Sequence, residues 1–224
     1  MGQYYRGVIL KDNIDVTNIT FNDIHEAFCC YEHENGAKLM EHSYVNNWYV
    51  KEYENKLAGE CFGNHFVWVG DYADSNLYFL VEDFINTKTI NIAEEQGYYT
   101  VGNHFENDYG DIKEYDDFKS VTDYDVLVST TYEYIINFTK KMFIRIPKRG
   151  ECLTIHPLPL LCADGNGRGG GDYDGSNMEL IGSWAYDKIG VANEIPDDIT
   201  DELVVTFQEY SDNGNDYQIV KRTI

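Results

Sequence analysis

The sequence predicts an α+β protein: mainly antiparallel sheet with one or a few helices, in one domain spanning 1–224 or two closely packed halves. Three observations carry this. Short runs rich in β-branched and aromatic residues recur between clusters of turn formers. One segment alone shows a sustained i, i+4 apolar stripe. The chain is 43% hydrophobic and 15% aromatic over 224 residues, enough apolar surface to offset the conformational entropy of ordering.

From the N-terminus, Gln3 to Leu10 reads as a strand ended by the polar Lys11-Asp12-Asn13 turn, with Ile14 to Phe21 as its hairpin partner. Between Lys38 and Leu57 the positions Met40, Tyr44, Trp48 and Val45, Tyr49, Tyr53 repeat at i+4, and Gly59 follows as a stop, which predicts the best helix of the chain. His65–Val69 and Leu77–Val81 read as two strands around a loop of turn formers. Residues 103–125 carry many acids among scattered aromatics, a composition of a solvated helix or an acidic surface loop, and mark the expected boundary between halves.

Val126–Val128 opens the second half. Tyr132–Phe138 and Met142–Ile146 predict two strands joined by a tight turn at Lys140-Lys141, and Pro147 ends the second. Pro157 and Pro159 interrupt the apolar run Leu153–Leu161, which predicts an extended lead rather than a helix interior or central strand. Met178–Trp184, Lys188–Ala192 and Leu203–Phe207 suit strands or short amphipathic segments, and Ile219–Ile224 a terminal edge strand.

The formal charge of −22 opposes direct binding to nucleic acid or an anionic membrane and attracts basic partners. It equals the phosphate charge of about 11 base pairs of duplex, so mimicry of DNA is one sharper form of that reading. No stretch approaches the roughly 18 apolar residues of a membrane span, and the start Met1-Gly2-Gln3-Tyr4-Tyr5-Arg6 lacks the apolar run of a secretory signal. Five cysteines, Cys29, Cys30, Cys61, Cys152 and Cys162, show no CxxC spacing and read as reduced, mostly buried thiols. The expected location is cytoplasmic.

One segment asks for a chemical explanation. His156 to Gly175 packs glycine, acids and one arginine into a single run, where glycine permits positive φ and close backbone approach to a ligand. Asp164, Asn166, Arg168, Asp172 and Asp174 are the candidate ligand-binding residues, with Trp184 as a pocket floor or else a core tryptophan. Backbone amides and Arg168 suit a phosphate cradle, without a P-loop lysine or its strand-to-helix context. The alternating oxygen donors suit a hard cation, although Gly175 stands where an EF-hand needs glutamate.

The plainest alternative is a glycine-rich Ω-type or hairpin loop in which Arg168 pairs with a nearby aspartate. His25, His33 and His42 lie near Cys29 and Cys30, but no pair has standard zinc-ligand spacing.

Asp164-Gly165-Asn166-Gly167-Arg168 with His156-Pro157 looks similar to the Fic nucleotide-transfer motif, but extra residues separate His156 from Asp164 and glycine replaces the second arginine. Met1-Gly2-Gln3-Tyr4-Tyr5, the Lys38-Leu39-Met40-Glu41-His42-Ser43 block, and the run from His156 through Gly171 to Gly182-Ser183-Trp184-Ala185 resemble an uncharacterised family of phage and bacterial proteins. That resemblance implies an origin in phage or mobile DNA and carries over no activity or site. The expected function is a phage-type accessory protein that binds a host protein with a basic surface, in its specific form an inhibitor of bacterial defence. The alternative is a small nucleotide-, phosphate- or cation-binding protein or enzyme using the Asp164–Asp174 loop. No catalytic residue, metal or cofactor is assigned.

Overall fold

The computed structural model describes residues 2–28, 36–114, 118, 131–148, 154–209 and 217–222. The fold is α+β. Its centre is the antiparallel pair β1 (Tyr5–Leu10) and β3 (Asn64–Gly70), in register from Tyr5 opposite Gly70 to Leu10 opposite His65. Side chains alternate between the faces of a strand, so Tyr5, Ile9, Phe66 and Trp68 enter one core while Val8, Leu10, Val67 and Val69 enter another. Both faces are therefore covered. α2 (Trp48–Ala58) and α4 (Pro157–Leu161) contribute to the first core and α3 (Leu77–Glu95) to the second.

On the outer edge of β1 lies β2 (Ile24–Glu26), which pairs with it antiparallel. The other edge of β3 is shared. β10 (Lys188–Ala192) pairs with its first residues, and the short parallel β9 (Ala163–Asp164) takes Trp68 and Val69. Beyond β10 the sheet continues through β7 (Tyr134–Asn137), β8 (Met142–Arg145), the parallel β11 (Asp201–Val204) and the edge strand β12 (Gln218–Lys221). A separate three-stranded antiparallel sheet is formed by β4 (Tyr98–Val101), β5 (His104–Asn107) and β6 (Ile112–Lys113).

The β1, β3, β7, β8, β10 and β12 segments form as the sequence predicts. Other segments differ, each for a local reason. Residues 14–20 form no strand, with a turn and bend at 16–18: the Asp15 carboxylate accepts from Thr17 N and Oγ1, and Asp23 from Thr20 N and Oγ1, satisfying the backbone locally instead of in a ladder. The helix expected over 38–57 divides into α1 (Leu39–His42) and α2. Between them Val45 N donates to the Thr154 carbonyl and His156 N to the Ser43 carbonyl, Asn46 takes a φ of 70°, and the Asn47 side chain caps α2 by accepting from Tyr49 N and Val50 N.

Leu77–Val81 is the first turn of α3, not a strand. Read beyond five residues, Leu77, Tyr78 and Val81 begin a buried stripe that reaches Ala93. The prolines of 157–161 do not prevent helix, because Pro157 occupies the first helical position, where no amide donor is needed. β5 and β6 occupy part of the expected 103–125 loop; most of its remainder and Val126–Val128 lie outside the described residues. Within Met178–Trp184, expected as a strand or short amphipathic segment, Met178–Leu180 forms a single 3-10 turn.

A buried polar cluster joins α2 to α4. His156 and Glu54 are fully buried, and Nδ1 of His156 accepts from Leu158 N, which leaves its proton on Nε2 to donate to Glu54 Oε1 at 2.9 Å. The other carboxylate oxygen pairs with Lys51 Nζ at 2.6 Å. Burial alone would raise the Glu54 carboxyl, but His156 and Lys51 together outweigh it and hold it below its ordinary value.

We predict that Glu54→Gln destabilises the protein by about 3 kcal/mol, the low end for stranding a buried charge, since Lys51 also borders a cleft. The folded-state pKa of Glu54 is depressed, so its stabilisation is complete above the unfolded-state value and lost as pH falls. Thermal denaturation should therefore show the gap between wild type and variant narrowing below about pH 4. A gap that widens in acid contradicts the ion pair.

Candidate functional site

The glycine-rich loop emerges where β1 begins and β3 and β9 end. Its conformation is organised by one side chain. Asp172 Oδ2 accepts from the backbone amides of Gly167, Arg168 and Gly169 at 2.6, 2.8 and 3.0 Å, while Oδ1 accepts from the Tyr5 hydroxyl at 2.7 Å. Successive amides do converge as an anion cradle requires, and the anion they hold is the chain's own carboxylate. Burial, then the bond to Asp172, drives the Tyr5 hydroxyl far above its ordinary value, so it stays a neutral donor.

The other loop candidates are also engaged within the chain. Arg168 forms a two-pronged pair with Asp74, Nη1 to Oδ1 at 2.7 Å and Nη2 to Oδ2 at 2.9 Å, and Nη1 also donates to the Tyr72 carbonyl. This is the loop reading in which Arg168 meets a nearby aspartate. Asn166 clasps Tyr173 by accepting from its amide and donating to its carbonyl. Asp164 accepts from the Tyr186 hydroxyl at 2.7 Å, and Tyr186 itself takes a φ of 66°, an uncommon conformation for so large a side chain.

Asp174 is exposed and its amide donates to Met40 Sδ. Trp184 belongs to the main core rather than to the loop. The structure therefore joins Asp172 to the Arg168 amide, engages Asp164 with Tyr186, Asn166 with Tyr173 and the Arg168 guanidinium with Asp74, and buries Trp184 in the main core.

Beneath the loop lies a residue the sequence did not single out. Gln3 is fully buried, its amide donates to the Gly170 carbonyl, and a Cβ on Gly70 or Gly165 would lie 2.1 or 2.5 Å from its Nε2. A side chain at either position would displace the Gln3 carboxamide, and Gly165 also takes a φ of 117°, which favours glycine. Among the described residues neither Gln3 Oε1 nor Nε2 has a hydrogen-bond partner. No group of three or more His, Cys, Asp or Glu side chains among them could hold a metal ion. His156, the histidine of the Fic-like reading, is buried with both ring nitrogens engaged. His42 Nδ1 accepts from the Lys38 amide, and His33 lies outside the described residues with Cys29, Cys30 and Cys152. Cys61 and Cys162 are buried thiols.

What the loop does hold in place are the segments that wall a neighbouring cleft. Arg168 fixes the 71–74 turn through Tyr72 and Asp74, and Gly170 holds the start of the chain through Gln3 and Gly2. Between these and α3 opens a cleft of about 580 Å³ lined by Tyr4, Tyr72, Tyr78, Phe79, Asp71 and Glu82, with Gly2 at its rim. Asp71 is anchored by the Tyr4 amide at 3.1 Å. Burial pushes the Tyr78 hydroxyl up to about 12; nearby Arg6 opposes that rise, and Asp71 and Glu82 add to it. No local pattern marks this cleft: its tyrosines lie between positions 4 and 78, and the Leu77–Val81 run around Phe79 is as apolar as a strand.

No protein-family model, curated protein or solved structure matches this chain. Among the described residues no helix is long and apolar enough to cross a membrane. The site is therefore read on its own geometry.

We predict that Asp172→Ala, which leaves the buried Tyr5 hydroxyl without its carboxylate, costs about 1–3 kcal/mol. Hydrogen exchange at the Gly167, Arg168 and Gly169 amides should accelerate while the β1–β3 amides stay protected. Unchanged exchange in the loop would show that Asp172 does not organise it.

Proposed function

We propose that this chain is a non-enzymatic interaction protein that captures a basic protein partner, and that the acid-and-aromatic cleft is where the partner seats. The observation that carries this is the cleft itself: four aromatic side chains with two carboxylates, in a chain of net charge −22. Long-range attraction steers a basic surface towards the protein, and aromatic rings supply the anchors that steering alone does not. In its fullest form the proposal is a phage-type accessory protein in a host cytoplasm, with a component of bacterial defence as its target.

A nucleotide, phosphate or cation at the Asp164–Asp174 loop is the second reading, favoured by the unpartnered carboxamide of Gln3 below it. An outside anion would have to displace Asp172 from the three amides and separate Arg168 from Asp74. The cleft requires neither, which is why it is preferred.

The test is affinity capture from bacterial lysate followed by binding measurements on the purified partner. Glu82→Lys should weaken binding at least tenfold, while Glu194→Lys, an equal charge change on an exposed acid elsewhere, should have little effect. Raising salt towards 1 M, where the Debye length falls to about 3 Å, should slow association strongly. Equal losses from both variants would mean that only total charge matters and would remove the cleft from the proposal.

A further inference from the structure

The cleft's chemistry narrows the kind of cation it takes. Phe79 is 59% exposed, a large apolar ring presented to solvent, and its centroid lies 5.5 Å from that of Tyr78 in an edge-on arrangement. Two cations of the chain already sit on rings of this wall. The guanidinium of Arg6 lies 4.2 Å from the Tyr78 centroid, with Nη1 3.3 Å from the Tyr78 carbonyl and 3.4 Å from Glu82 Oε2. The ammonium of Lys38 lies 6.0 Å from the Tyr4 centroid, and its closest partner is Glu41 at 2.9 Å.

The contrast has a physical cause. A guanidinium is planar and weakly hydrated, so it can lie on a ring and still fork a carboxylate, whereas an ammonium keeps its water and follows the carboxylate. Counted locally, Asp71, Glu82 and the Glu41 that pairs with Lys38 supply three negative charges and Arg6 and Lys38 return two, so the wall stays net negative. At about 580 Å³ the cleft exceeds a single guanidinium and has room for neighbouring residues of a peptide.

Resting on the basic-partner reading above, we propose that the cleft is an arginine receptor: it takes the guanidinium of an arginine on an extended segment of the partner, laid against Phe79 and paired with Glu82. An unmodified lysine fits the charge and can reach a ring, as Lys113 does at 4.7 Å from the Tyr98 centroid, but it cannot stack flat on the ring and fork a carboxylate at once. The site repeats outside what Arg6 and Tyr78 do inside.

The experiment titrates the full-length protein, at low salt, with three short Gly/Ser peptides that differ only in carrying two arginines, two lysines or two citrullines, the last being neutral and nearly isosteric with arginine. Binding is followed by heteronuclear NMR. We expect the arginine peptide to bind at least fivefold tighter than the lysine peptide, the citrulline peptide to lose most of that affinity, and shifts to centre on the Tyr72, Phe79 and Glu82 amides. Phe79→Ala, at an exposed position, should weaken arginine binding about three- to fivefold, in line with an exposed cation–π contact. Glu82→Gln should weaken it as well, with its melting temperature checked because Glu82 also faces Arg6.

Equal affinity for arginine and lysine peptides would overturn the arginine receptor while leaving the basic-partner reading intact. Shifts that map away from the cleft would also overturn it. If no peptide binds and no basic protein is captured from lysate, the basic-partner reading falls with it.

Discussion

The pairing of β1 with β3 is the constraint on which the rest of the structure hangs. Both strands are buried on both faces, so neither can slip by one residue without exchanging the contents of two cores: Tyr5, Ile9, Phe66 and Trp68 on one side, Val8, Leu10, Val67 and Val69 on the other. That fixed register sets where the strands stop. Because Tyr5 lies opposite Gly70, the residues before β1 and after β3 meet at one end of the sheet, and β9 delivers the glycine loop to the same place by pairing with Trp68 and Val69. The site is thus a consequence of register. Gln3, Asp71 and Asp164 lie far apart in sequence and become neighbours only there.

What happens at that end is governed by how a strongly acidic chain distributes its few cations. Against 39 acids there are 17 lysines and arginines, and several are spent on ties between remote segments: Arg168 to Asp74, Lys188 to Asp12, Lys140 to Asp187. Asp172 needs no cation at all, because three backbone amides and a neutral tyrosine hydroxyl satisfy it. The loop therefore closes with the charges of Asp172 and Arg168 answered internally. The acids of the adjoining cleft are held differently: Asp71 by a single backbone amide, and Glu82 by the guanidinium that lies on Tyr78.

Legibility in the sequence followed the range of the interactions. Strands with local alternation and clear turn residues, such as Tyr134–Asn137 and Met142–Arg145 around Lys140-Lys141, could be read directly. So could the Gly59 stop of α2. The start of α3 was misread because Leu77–Val81 is as apolar as a buried strand, and only the spacing of later residues reveals a helix. The division of the 38–57 helix depends on backbone bonds to Thr154 and His156, more than a hundred residues away, which no local pattern encodes. At the site, the pairing of Arg168 with an aspartate was legible as a type of contact. Its partner Asp74 and the role of Gln3 were not, because both follow from the β1–β3 register.

The division between closed loop and open cleft also explains why the glycine-rich run is needed even where it touches no ligand. Gly169 lies against Gln3 and Tyr72 at distances no side chain could share, Cβ contacts of 2.8 to 2.9 Å. A bulkier residue there would push apart the start of the chain and the 71–74 turn, the two segments that carry Tyr4, Asp71 and Tyr72 into the cleft. Close approach of chain segments is then a physical demand that Gly169 meets. The most conspicuous motif in the sequence thereby holds in place a neighbouring surface made of residues that no motif would mark.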